Sequence, residues 1–249
     1  MRFIMAMMLT ILSAWALSSY EVAQKADAAI SGFKDSKSDM AMTLVNAKGQ
    51  KRERKMYMMV FEREGGDKSL LEFLSPADVK GTKFLSYEHI DGDDDQWLYL
   101  PALKRVKRIA SKNKSGSFMG SEFSYEDLGA FNIEKYTYSG DAKEVMLDNV
   151  TMYQSTRIPK DENSGYTKQI VWNDAKTFLV CKVEYYDRKK ALLKTAIFED
   201  YKKINGIWRV GTITMTNHQN DKQTILIWKN ETLKNGLKES DFHQRVLKQ

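Results

Sequence analysis

From residue 38 to residue 61 the chain sets apolar side chains on alternate positions of two successive segments. "SDMAMTLVN" places Met40, Met42 and Leu44 on one side. After the turn-forming "AKGQ", "RKMYMMVFER" places Met56, Met58 and Val60 on one face and Tyr57, Met59 and Phe61 on the other. Period-two alternation across a short polar turn predicts a β-hairpin. The pattern continues through "KSLLEFL", "TKFLSYEHI", "QWLYLP" and "RVKRIA". It resumes in "EKYTYSG", "AKEVMLDNVTMYQSTRIP", "YTKQIVWN", "FLVCKVEYYD", "LLKTAIFEDYKKI", "IWRVGTITMTNHQ" and "KQTILIWKNET". Polar breaks such as "DENSG", "NDAKT" and "DRKK" separate these segments. About 10–12 strands joined by short turns predict a mainly β, antiparallel fold. Helical spacing is confined to residues 21–31, stopped by Gly32, to a short turn in "SPADVKG", and to the tail "ESDFHQRVLK", with Ser240 or Asp241 as its cap. A strand with one face in water alternates apolar and polar residues. "KMYMMVF" is apolar on both faces, so its sheet needs two covers. Helices inside a curve would supply one, and a neighbour or a cargo the other.

The first residues read differently. Arg2 precedes an apolar run from Phe3 to about Leu17, followed by small residues at Ala14, Ala16, Ser18 and Ser19. This is the pattern of a secretory signal peptide over residues 1–18, cleaved near Ser18 with Ala16 at the −3 position. The run falls short of the roughly 20 residues a membrane span needs. Residues 19–249 are then one domain. No cysteine follows the run to take a lipid anchor, and the sole cysteine, Cys181, lies in a strand segment and has no partner for an internal disulfide. Export without a disulfide framework points to a bacterial periplasm and to a core large enough to need no staples. The net charge of +6 falls to +5 once Arg2 is removed, too mild for a dedicated nucleic-acid binder.

Catalytic chemistry finds little support. Three histidines, His89, His218 and His243, are scattered, and no HExxH, GxSxG or phosphate-loop pattern is present. "KSGSFMGS" lacks the GK[ST] ending. "DGDDD" (91–95) has aspartates at alternate positions, but a calcium loop needs Gly at its sixth position and Glu at its twelfth, where Gln96 and Ala102 stand. It is therefore a polar turn, and no metal or cofactor is implied. Lys104, Arg105, Lys107 and Arg108 form a basic arm, either a charged strand face guarding a sheet edge or a contact for an anionic headgroup or an acidic partner. Methionine and aromatic residues are the sharper signal, since flexible, polarisable side chains suit surfaces that accept variable apolar shapes.

"FLSPADVKGTKFLSYEH", "DGDDDQWLYLPALKRVKRI" and "SGSFMGSEFSYEDL" together resemble the exported outer-membrane lipoprotein-sorting proteins of the LolA/LolB-like superfamily. Trp97, Tyr99, Pro101, Leu103, Lys104 and Val106 carry the hairpin core of that resemblance, which is strongest over residues 68–130. The resemblance implies an incomplete antiparallel β-barrel with helices as a lid over its concave face, and a non-enzymatic carrier that holds acyl chains of lipid or lipoprotein. This branch is associated with RND-type exporters, so an inner-membrane transporter is an implied partner. The candidate cavity residues are Met42, Met56, Tyr57, Met58, Phe73, Trp97, Tyr99, Phe123, Tyr125 and Trp172, a set that mixes the two strand faces. A second reading is an accessory subunit that carries nothing and binds an exporter through Lys104, Arg105, Lys107 and Arg108.

Overall fold

The structure, a computed structural model, describes residues 16–129 and 131–249. Most of the leader assigned to residues 1–18 therefore lies outside the described residues. Ser18, beside the expected cleavage point, caps helix α1 (Ser19–Ile30): its hydroxyl accepts from the Glu21 backbone while the Glu21 carboxylate accepts from the Ser18 backbone. Gly32, in the left-handed region, follows the helix as the sequence suggests.

Six strands run as a meander: β1 (Asp35–Val45), β2 (Lys51–Phe61), β3 (Lys68–Ser75), β4 (Lys83–Tyr87), β5 (Asp95–Leu100) and β6 (Arg105–Ile109). Ten more follow: β7 (Tyr136–Tyr138), β8 (Lys143–Leu147), β9 (Val150–Pro159), β10 (Tyr166–Asp174), β11 (Val180–Asp187), β12 (Leu192–Glu199), β13 (Lys202–Ile204), β14 (Ile207–Arg209), β15 (Thr212–Asn217) and β16 (Lys222–Leu233). Fourteen form one antiparallel sheet in the order β6-β5-β4-β3-β2-β1-β16-β15-β12-β11-β10-β9-β7, with β8 also on β9, and β13–β14 stand apart as a ribbon.

The count exceeds the expected 10–12 because all thirteen alternating segments form strands and three of them are broken in two. Asp148 and Asn149 both adopt positive φ and fold 143–159 into a tight hairpin. The other two breaks flank the β13–β14 ribbon, where Asp200 takes positive φ and Gly211 lies against it. A Cβ on Gly211 would meet the Asp200 carbonyl oxygen at 2.6 Å.

Laid flat, β6 and β10 would sit roughly 48 Å apart at the usual strand spacing. Instead two adjacent residues of one loop reach both ends: the Tyr125 carbonyl accepts from Gln96 of β5 at 3.0 Å, and Ser124 Oγ meets Tyr166 Oη of β10 at 3.1 Å. The sheet is therefore curled, with its concave face inward and its two ends unjoined. "SPADVKG" forms the expected helical turn, with the Val79 and Lys80 backbones both donating to the Pro76 carbonyl.

Both faces of β2 are covered, as its apolar pattern demands. The concave face is covered by residues 110–129, a loop with short 3-10 turns rather than the expected helices. Helix α1 instead packs on β9 and β14. The convex face of β2–β5 is covered by the C-terminal residues 237–249, where Phe242 and Leu247 are fully buried against Leu70, Leu85 and Trp97. That tail forms two 3-10 turns, Glu239–Phe242 and Gln244–Lys248, the first capped at Lys238 rather than at Ser240 or Asp241.

Candidate functional site

Register separates the sequence candidates. Met40 pairs with Met56, Met56 with Phe73, and Leu71 with Phe84, so Met42, Met56, Met58 and Phe73 share the concave face. Phe123 and Tyr125 reach the same cluster from the covering loop. Tyr57, Trp97 and Tyr99 are corrected. Tyr57 lies opposite Glu72, Trp97 opposite Leu85 and Tyr99 opposite Lys83, all on the convex face. Trp97 and Tyr99 pack under the C-terminal tail. Trp172 is also convex, with Lys182 Nζ 4.5 Å from its ring centre. In a period-two strand the sequence shows which residues share a face, not which face is inside.

The covering loop is a plug. Phe118 donates its backbone N–H to the Phe123 carbonyl at 2.7 Å, and Met119 and Gly120 turn the chain at positive φ. This sends Phe118 inward, where it is fully buried and meets Phe84 at 5.2 Å, Tyr125 at 5.5 Å and Phe73 at 5.9 Å between ring centres. These are ordinary separations for tilted and edge-on aromatic pairs.

Polar side chains buried within the apolar face hold the plug down. Arg54, on the concave parity of β2, donates to the Met119 carbonyl at 2.8 Å and stacks on Phe73, while its Nε meets no partner among the described residues. Lys194 of β12, 4% exposed, donates to Asp127 at 2.5 Å and to the Glu122 carbonyl at 3.0 Å. Asp127, 5% exposed, also accepts from Tyr166 Oη at 2.8 Å and from the Ser124 backbone at 2.6 Å. Glu126 accepts from Ser164 and the Gly165 backbone, and burial raises its carboxyl above the usual range. Sequence reasoning passed over Arg54, Lys194 and Asp127. For Arg54 and Lys194 the signal was a charge on the parity otherwise held by Met56 and Met58, or by Ala196 and Phe198; Asp127 lies in a 3-10 turn and offered none.

At one end of the plug a cleft of about 360 Å³ opens between α1, β2–β4 and residues 128, 129 and 131–133. That is within the usual range of small-ligand sites, about 300–1,000 Å³. Ile30, Met58, Val60, Leu128 and Phe131 give it apolar walls, and Asp67, Ser86 and Glu88 lie at its polar side. The Asp67 backbone donates to Glu88 Oε2 at 3.3 Å and the Glu88 backbone to the Asp67 carbonyl at 2.8 Å. Gly66 permits this approach, since a Cβ there would meet the Glu88 carbonyl oxygen at 2.5 Å.

Burial pushes the Asp67 carboxyl up to about 7; Glu88 and Glu62 add to the rise, while the Arg63 backbone and Arg209 oppose it. The unfolded carboxyl ionises near pH 3.9. Stability from this group is thus complete below about pH 4 and is lost as pH climbs toward 7. Asp67→Asn stays neutral and keeps an acceptor for the Arg63 backbone. It should leave stability nearly unchanged near pH 3.5 and raise it by about 2–3 kcal/mol at pH 8, measured by urea unfolding. An equal gain at both pH values would refute this assignment.

The remaining sequence candidates have local roles. Arg108 pairs with Asp95 of "DGDDD", Asp94 accepts from Lys135 at 2.5 Å, and Lys104, Arg105 and Lys107 are exposed along the edge strand β6. His89 meets Asp95, His218 meets Thr195, and His243 Nδ1 accepts from the Arg245 backbone. Cys181 is half-buried, and burial raises its thiol.

A model of a family of uncharacterized proteins matches residues 65–249. A comparison with curated proteins finds no match. Among solved structures, a domain assigned to outer membrane lipoprotein sorting from Vibrio parahaemolyticus is 49% identical, covering 92% of this chain and 98% of its own, at a TM-score of 0.88. A DUF1329 family protein from Desulfovibrio piger is 31% identical over 92% of this chain and 97% of its own, at 0.86. A LolA superfamily protein from Nitrosomonas europaea, 18% identical over 93% of this chain and all of its own, shares the fold at 0.75. The chain belongs to the family of this lipoprotein-sorting domain and of the DUF1329 protein, and its open, curled sheet is the LolA-superfamily fold.

Proposed function

We propose that the protein is a periplasmic, non-enzymatic carrier that takes an acyl chain, of free lipid or lipoprotein, against the concave face of its half-barrel. One observation carries this reading: the methionine- and aromatic-lined interior is closed by a loop, not by strands, and a cleft opens beside it. The leader pattern, the lone cysteine and the Vibrio parahaemolyticus relative support the compartment and the cargo class.

Energies support an exchange between plug and chain. Covering about fifteen methylenes gains roughly 12 kcal/mol before any costs. Lifting Phe118 and Phe123 costs roughly 3–6 kcal/mol together. Breaking the buried Lys194–Asp127 contact costs about 3–5 kcal/mol. The sides differ by only a few kcal/mol, which suits a carrier that must also let go. The exposed basic edge at Lys104, Arg105 and Lys107 is the surface we assign to an RND-type membrane partner.

The test is native mass spectrometry of protein exported to the periplasm, followed by solvent extraction and lipid identification. A stoichiometric acyl lipid or lipoprotein fragment supports the carrier. An empty protein that also refuses an apolar fluorescent probe overturns it and favours the accessory subunit that binds an exporter through the same basic edge.

A further inference from the structure

The cleft beside the plug has an uneven polar inventory. Its lining includes the carboxyl groups of Asp27, Glu62, Glu64, Asp67 and Glu88 against two guanidinium groups, Arg63 and Arg209. Both cations are committed elsewhere. Arg63 donates to the Gly66 carbonyl at 3.0 Å and to Glu239 at 3.2 Å. Arg209 donates to Glu231 at 2.8 Å and lies over the Phe33 ring at 4.4 Å. Glu62 is likewise spent, both oxygens accepting from the backbone of Gly32 and Lys34.

Two buried polar atoms lack a hydrogen bond among the described residues. Ser86 is 3% exposed and its hydroxyl has no hydrogen-bond partner among the described residues. Glu88 is also 3% exposed, and its Oε1 has no hydrogen bond among the described residues. Lys135 approaches that oxygen to 3.4 Å, but hydrogen-bonds to Asp94 at 2.5 Å instead. Buried polar atoms are nearly always satisfied, so two orphans at one cleft point to a ligand. Ser86 shares the concave parity of Ser69, and their neighbours along that face are the apolar Leu71 and Phe84. A polar head bound here would continue into an apolar path along Met58 and Val60.

We propose that the cleft receives the protonated amine of an alkyl-chain amphiphile, its ammonium held by Glu88 Oε1 and Ser86 Oγ with Asp67 alongside. The head-group specificity rests on the carrier reading above but goes beyond it. An ammonium brings donors and positive charge to a site rich in acceptors. A carboxylate or phosphate head would bring further acceptors to a site of acceptors and find both guanidinium groups occupied.

The experiment is calorimetric titration of the full exported protein with dodecylamine, dodecanoate and dodecanol, each below its micelle concentration, and with butylamine. Dodecylamine should bind one-to-one and at least tenfold tighter than dodecanoate. Glu88→Gln retains an acceptor for the Asp67 backbone and should erase that preference while leaving dodecanol binding unchanged. Ser86→Ala, a smaller change, should weaken dodecylamine alone by severalfold. Equal or tighter dodecanoate binding, or a preference that survives Glu88→Gln, overturns the head-group inference and leaves the carrier standing. Butylamine binding as tightly as dodecylamine would overturn the carrier reading and leave a simple cation site. No binding by any C12 compound overturns both.

Discussion

Replacing Asp127 with alanine is expected to remove about 3–5 kcal/mol of stability and to open the interior to an apolar probe. The size follows from what is left behind. Lys194 is 4% exposed and would lose its only carboxylate contact among the described residues, keeping the Glu122 carbonyl at 3.0 Å. A buried charge stripped of its partner costs about that amount. Tyr166 and the Ser124 backbone would lose an acceptor too. Lys194→Met should cost less, because Asp127 retains Tyr166 and Ser124 as donors. In the double variant the loss should fall well short of the sum, since no charge then remains unpaired. The probe reports the function. The plugged arrangement competes with a bound chain, so weakening the plug should tighten apparent binding of the probe. Loss of stability without any gain in probe binding would mean that residues 110–129 are fixed core and not a displaceable cover.

The β character of the chain was legible because the alternation in "KMYMMVF" and its neighbours is a local property. So was the need for two covers. What covered each face was not legible, because both covers are irregular in sequence. The plug reads as Gly, Ser and Lys around Phe118 and Phe123, and the tail as a polar segment around Phe242 and Leu247. Neither has a long periodic face, so their apolar residues carry weight only through partners distant in the chain. Strand parity put Met40 with Met42 and Met56 with Met58 within their own strands, but it could not say that Tyr57, Trp97 and Tyr99 look the other way, since inside and outside are set by the curl of the whole sheet. Arg54, Asp67, Ser86, Glu88, Asp127 and Lys194 were missed for a related reason. A charged or hydroxyl side chain in a strand or turn is ordinarily a solvated one, and only burial distinguishes these.

The two covers also separate stability from cargo, and Phe242→Ala tests that separation. Phe242 is fully buried against Leu70, Leu85 and Trp97 on the convex face, 6.0 Å from the Phe61 ring, and its carbonyl accepts from Tyr87 Oη. Truncating a buried phenylalanine typically costs about 3–5 kcal/mol. Lys83 donates to the Val246 carbonyl at 3.2 Å, and Lys68 and Arg63 both meet Glu239, so polar contacts keep the tail in place after the ring is gone. The loss therefore reflects a cavity, not release of the segment. The variant is expected to unfold at markedly lower urea while binding the apolar probe as the parent does, because no atom of the concave face has changed. Matched losses in stability and probe binding would show instead that the tail sets the curl of β2–β5, and through it the width of the site on the opposite face.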